Sequence, residues 1–269
     1  MPSRRLQTLC VAMFILCLWW IDKQDARSLW FLIPSGVLAI ASFIYGDLVN
    51  RWWYKHYPPD LTDYEKRWLL KMVPYFRNLS DAQQDRFCKR MALEKEEKEF
   101  INMSEQPVPE EWKLMALSPA IYLGLHRDLP QAEPYNRIVF YLHAFPSPHQ
   151  AYLHISEHEP EDGVIIFSLP HLESAYRSPG SFFNIAHYEW GIIWYHIHIA
   201  SVPSTLMNHS IVDSYCQCLG ILPEDLTKYL GQPALNPAGL FIDLVLTKPQ
   251  WVKTNLPELY QVFMQFESF

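Results

Sequence analysis

Two apolar runs, at 6–21 and 28–45, open the chain and divide it into parts that must meet different solvents. At about 1.5 Å of rise per residue, each run covers roughly 24–27 Å as a helix. A bilayer core is about 30 Å thick, and thinning or interfacial anchoring absorbs the difference. Anchors are present: Trp19, Trp20 and Trp30 lie near the linker, and Trp52, Trp53 and Tyr54 follow the second run. The linker 22–27, Asp-Lys-Gln-Asp-Ala-Arg, is short, so the pair predicts a transmembrane helical hairpin. Arg4 and Arg5 precede the first run, Arg51, Lys55 and His56 follow the second, and the linker is charge-balanced. The positive-inside tendency therefore puts both ends on the cytoplasmic side of an inner, or cytoplasmic, membrane. A signal peptide shares the arginines and the apolar stretch, but no small-x-small cleavage site follows Ile21. The expected organisation is a membrane hairpin and juxtamembrane segment at 1–59, then a cytoplasm-facing domain at 60–269.

The formal charge is −7, which excludes the basic balance of a nucleic-acid binder. The five cysteines form no disulfide framework, and Cys216-Gln-Cys218 has neither knuckle spacing nor a second pair. With nine glycines and 21 prolines, the chain offers no Gly-rich phosphate loop. Helix starts are signalled by Asp60-Leu-Thr-Asp63, by Ser80 with Gln83 as a capping box, and by Pro109-Glu110-Glu111. The second of these heads a charged helix over 81–100. Short β-rich runs at 138–142, 151–155 and 164–168 are separated by Pro-, Asp- and Gly-bearing turns, which predicts a small antiparallel or mixed sheet. Helical patterns return after 170 and close at 257–269. The fold class is α+β.

The chemistry turns on 184–192, Asn-Ile-Ala-His-Tyr-Glu-Trp-Gly-Ile. A zincin helix reads His-Glu-x-x-His, with the histidines binding zinc and the glutamate acting as general base. Here Glu189 stands between Tyr188 and Ile192. A second motif, His154-Ile-Ser-Glu157-His158, matches the inverted pattern His-x-x-Glu-His. That pattern needs a helix, and this one follows a β-rich run and precedes a turn, so it reads as an exposed hairpin. His143 and His149 lie among prolines and support no site. No Gly-x-Ser-x-Gly elbow occurs.

Several segments over roughly 65–265 together resemble the Mlc titration factor A (MtfA) family of zinc-dependent peptidases. They are Val-Pro-Tyr-Phe-Arg-Asn-Leu-Ser at 73–80, Glu99-Phe100-Ile101, Glu110-Glu111 through Leu123-Gly124-Leu125, Val139 to Phe145, Val-Ile-Ile-Phe-Ser at 164–168, Asn-Pro-Ala-Gly-Leu-Phe at 236–241, Lys248-Pro249, and Pro-Glu-Leu-Tyr at 257–260. The resemblance implies a zincin-like, gluzincin-type domain of helices packed on a small sheet. It also implies where the site should be. The family's NVVxHEFAH puts its first histidine on Tyr188, the catalytic glutamate on Glu189 and the second histidine on Ile192. The ligand glutamate of NPAEFF falls on Gly239. All three ligand positions are therefore substituted. A tyrosine phenol, with a pKa of about 10, binds zinc poorly at neutral pH, and Ile and Gly side chains cannot coordinate. No cofactor is expected. The implied role is a pseudopeptidase that binds a peptide or protein partner, as the family's namesake interaction with a transcriptional repressor suggests, with Trp190, Trp194 and Tyr195 filling or lining the old site. The alternative is an active zinc peptidase of aminopeptidase type, with ligands relocated to His187, His196 and His198 and Glu189 as base.

Overall fold

A computed structural model describes residues 2–21, 29–126, 135–147, 152–199 and 210–266. These fall into two compact units that divide at Asp60 and Leu61. The first contains α1 (Pro2–Ile21), α2 (Leu29–Ile44) and α3 (Gly46–His56). The second runs α4 (Asp63–Met72), α5 (Pro74–Arg77), α6 (Asp81–Glu97), β1 (Glu99–Asn102), α7 (Glu110–Leu123), β2 (Arg137–Tyr141), β3 (Ser156–Glu159), β4 (Val164–Ser168), α8 (Leu169–Arg177), α9 (Ile185–His198), α10 (Ser210–Leu219), α11 (Pro223–Leu230), α12 (Pro237–Thr247), α13 (Pro249–Asn255) and α14 (Pro257–Phe266).

In the first unit α1 and α2 pack as an antiparallel pair. Phe14 lies against Gly36, and Gln7 Nε2 donates to the Ser42 carbonyl at 3.3 Å. The Ser3 amide donates to Asn50 Oδ1 on α3 at 3.0 Å. The expected linker, 22–27, lies outside the described residues. The second apolar run does not continue as one straight helix. It turns at Tyr45, where α3 begins. Among the described residues no single helix is long and apolar enough to cross a membrane; Trp30–Ile44 and Leu48–Tyr54 meet that length and hydropathy only as a pair bent by 76°.

The second unit is mixed α+β, with helices dominating. Its sheet has the order β1-β2-β4-β3. β1, β2 and β4 are parallel, and β3 lies antiparallel on the edge beside β4. Two strand expectations need correcting. The helix expected to reach residue 100 stops at Glu97, and 99–102 pairs with β2 as a strand. The run at 151–155 forms only a bridge between His154 and Phe145, with the strand itself displaced to 156–159. Helix starts follow local chemistry. Thr62 and Glu65 form a capping box at α4, and Ser80 and Gln83 form another at α6.

Three helices are fastened by charge. Lys95 on α6 reaches Glu65 on α4 and Glu110 on α7, and Lys113 adds a 2.6 Å pair to Glu110. The Lys95 and Glu65 side chains are only 13% and 5% exposed, so neither finds water if its partner is lost. Lys95→Met should therefore destabilise the fold by about 2–3 kcal/mol, because it leaves Glu65 with Thr62 as its remaining partner. The double variant with Glu65→Met should cost less, and urea titration checks both.

Candidate functional site

Helix α9 runs through the core, and 185–195 are all buried. Asn184 starts it, its side chain accepting from the Ala186 and His187 amides. Residues on a helix turn by 100° each, so four successive side chains reach four different neighbours.

His187 faces α12. Its Nδ1–H donates to Asp243 Oδ1 at 2.8 Å, and the Tyr215 hydroxyl donates to Asp243 Oδ2 at 2.6 Å. Because Asn184 Oδ1 is committed to the helix amides, its Nδ2 donates to His187 Nε2 at 3.1 Å, which fixes the tautomer. The edges of Tyr75 and Tyr176 close the remaining faces of the ring.

Tyr188 lies over Gly239. A Cβ at Gly239 would sit 2.5 Å from Tyr188 Cδ2 and 2.8 Å from the Tyr188 carbonyl oxygen. A Cβ at Gly191 would sit 2.7 Å from Ile242 Cβ and 3.0 Å from Gly239 Cα. The two helices thus cross closely only because both positions are glycine, and the tyrosine ring occupies the space left at Gly239. Its hydroxyl donates to Gln232 Oε1 at 3.1 Å and accepts from the Asn236 amide at 2.9 Å. Burial first, then the neighbouring Glu189, raise the Tyr188 pKa well above that of a free phenol, with the Asn236 amide opposing. Ile192 is buried one turn after Tyr188, on the same face.

Glu189 faces β3. Ser156 Oγ donates to its Oε1 and His158 Nδ1 to its Oε2, both at 2.6 Å. Alternation along the strand puts Ser156 and His158 on one face. Burial pulls the His158 pKa down, but the bond to Glu189 and the charges of Glu189, Glu159 and Glu157 outweigh it, and the net shift is upward. Tyr135 stands edge-on to His158 and Trp190, its pKa pushed up to about 12 by burial, then by Glu189 and Glu159.

Trp190 faces α7. Pro119 has no amide to give the Met115 carbonyl. That oxygen accepts instead from the Tyr176 hydroxyl at 2.7 Å, while Trp190 Nε1 donates to the adjacent Ala116 carbonyl at 2.7 Å. Farther along, Trp194 packs on Phe263 and Phe266 of α14. Trp190, Trp194 and Tyr195 are core residues, so they fill the molecule rather than line an open groove.

Of the positions assigned from the family motif, one pair comes together. Tyr188 and Gly239 touch, and Glu189 is held by β3. The relocated-ligand candidates do not converge. His187 is bound to Asp243. His198 is buried, edge-on to Trp194 and stacked on Phe266. His196 is exposed at the end of α9, its ring 6.3 Å from His158 and its pKa lowered by burial, then by His158. Among the described residues no group of three or more His, Cys, Asp or Glu side chains is placed to hold a metal ion. The side chains at the three family ligand positions do not fit zinc.

The inverted motif does run into a hairpin, β3 and β4, but it is not exposed. His154 is fully buried, its ring nitrogens 3.0 Å from the Tyr152 carbonyl and from Glu157 Oε2. His158 turns inward to Glu189. Sequence reasoning missed that partnership, together with Asp243, Tyr215 and Gln232. The signal for His158 was present in its two-residue spacing from Ser156. No family model matches the chain, and no curated protein matches it.

Two outcomes follow. Gly239→Ala should destabilise by about 1–3 kcal/mol through overpacking. In a Tyr188→Ala background the penalty should shrink without vanishing, because the carbonyl contact remains; a double-mutant cycle in urea measures this. The His158–Glu189 contribution should be fully present below the ordinary histidine value of 6.5 and fall away as pH rises through the raised folded value. His158→Gln should cost about 2 kcal/mol at pH 6, and the gap to wild type should narrow at alkaline pH.

Proposed function

We propose that the chain is a membrane-anchored, MtfA-like zinc-peptidase homologue whose catalytic site has become packed core, leaving a role in peptide or protein binding or regulation. The observation that carries this reading is the Tyr188 ring lying on Gly239, with its hydroxyl tied to Gln232 and Asn236. Two positions distant in sequence, assigned as metal ligands by motif alone, are neighbours in space. Further support comes from the sheet, whose antiparallel edge strand β3 lies beside the helix carrying Glu189. We take this as support for reading the unit as a zincin-like, gluzincin-type domain of helices packed on a small sheet. Glu189 accepts a hydrogen bond on each carboxylate oxygen, from Ser156 and from His158, which supports a structural role for it.

The membrane reading draws on the first unit. Exposed apolar side chains cover it, including Leu9, Ile15, Leu16, Phe31, Ile33, Val37, Ile40 and Phe43. Contiguous apolar surface of this kind marks contact with a membrane or a partner. Ser35 and Ser42 are buried within the unit, and their hydroxyls bond back to the Leu32 and Ala39 carbonyls, so these donors are satisfied inside the helix. A partner-binding role draws on exposed Ile197 and Ile199 at the end of α9 and on Tyr152 and Leu153 ahead of β3.

One distance favours the alternative of an active zinc enzyme, the 6.3 Å between His158 and His196 beside Glu189. Metal analysis separates the two readings. The full chain, purified in detergent, loaded with zinc and desalted, should hold far less than one zinc and leave aminopeptidase substrates intact. Stoichiometric zinc that disappears on mutating His187, His196 or His198 would overturn the pseudopeptidase reading.

A further inference from the structure

The first unit carries a groove of about 580 Å³ whose two ends differ in chemistry. Arg4, Gln7 and Thr8 line one end; Val11 and Ile15 continue it along α1, and Phe43 borders it from α2. Positions 4, 8, 11 and 15 recur at helical spacing and share one face. From Arg4 to Ile15 the face runs about 16 Å. The pairing of Gln7 with the Ser42 carbonyl sets α1 and α2 in register at the Arg4 end, which is why Phe43 borders that end. Gln7 and Thr8 spend hydrogen bonds on the Ser42 and Arg4 carbonyls, which leaves the Arg4 guanidinium as the charged group of the lining. Neither α1 nor α2 contains an acidic residue; the acid in the unit's described helices is Asp47 on α3, next to Gly46, which lies against Gln7 and Ser3.

A cationic head above an apolar trough matches one class of molecule. We propose that this groove binds an anionic phospholipid of the surrounding leaflet, its phosphate on Arg4 and an acyl chain along Val11, Ile15 and Phe43. The inference rests on the membrane reading of this unit. It follows from charge complementarity: the cytoplasmic leaflet carries the anionic lipids, and a basic side chain near that surface attracts them. A free phosphate would gain only the Arg4 end, whereas the lipid uses the whole face.

The full chain is reconstituted into vesicles of phosphatidylcholine and phosphatidylglycerol at two to one, recovered by flotation and extracted in mild detergent. Native mass spectrometry then counts the lipids retained. The expected result is phosphatidylglycerol enriched about fivefold over its bulk ratio. Arg4→Gln should return retention to the bulk ratio, Arg67→Gln in the second unit should leave it enriched, and inorganic phosphate should not displace the lipid. Wild-type protein that floats but retains the two lipids at their bulk ratio overturns the groove alone. Enrichment that survives Arg4→Gln, or that inorganic phosphate abolishes, also overturns it. Protein that fails to float overturns the membrane reading and the groove with it.

Discussion

The crossing of α9 and α12 depends on two glycines. With a Cβ at Gly191 or Gly239, atoms would stand at 2.5–3.0 Å, distances that real side chains do not tolerate. A glycine inside a helix costs about 1 kcal/mol relative to alanine, and the chain accepts that cost so the two backbones can approach. Once they do, the Tyr188 ring lies against the bare backbone at Gly239. Asp243, one turn further along α12, then comes within reach of His187. The close approach thus positions the aromatic plug and the buried polar network together.

From that crossing α9 acts as a hub. Its successive residues serve α12, the segment before α12, the edge strand and α7, and each buried polar group among 184 and 187–190 finds a partner. A core this polar is costly unless satisfied. Glu189 accepts two short hydrogen bonds from β3, which draws the strand onto the helix. The same contacts tie each carboxylate oxygen to the strand and fix the orientation of the side chain.

Much of the architecture was legible from sequence because local signals agreed with tertiary demands. The helix start at 60–63, the capping box at Ser80 and the apolar runs of β2 and β4 each follow from local pattern. The failures have physical causes. β1 lies at the end of a charged helical pattern, and only pairing with β2 makes it a strand. The His154–His158 stretch reads as a solvated turn because its acids and histidines look exposed. Burial is satisfied by a local partner, Glu157 for His154, and by a distant one, Glu189 on α9, for Ser156 and His158. Long-range pairings such as His187 with Asp243 leave no periodic trace, so a ligand role and a structural role for His187 looked alike.

The central claim is that Tyr188, Ile192 and Gly239 mark one dismantled site. Restoring its ligands tests that directly: Tyr188→His, Ile192→His and Gly239→Glu in one chain. Removing the tyrosine ring relieves the side-chain contact at position 239 but not the contact with the residue 188 carbonyl, so the variant should be less stable than wild type; two histidines one turn apart with a glutamate from α12 make a three-ligand zinc set. The account predicts a folded variant that binds about one zinc per chain, with the metal's absorption-edge spectrum showing nitrogen and oxygen ligands at about 2.0–2.2 Å. A variant that folds, shown by a native-like circular dichroism spectrum and cooperative unfolding, yet binds no zinc would contradict it.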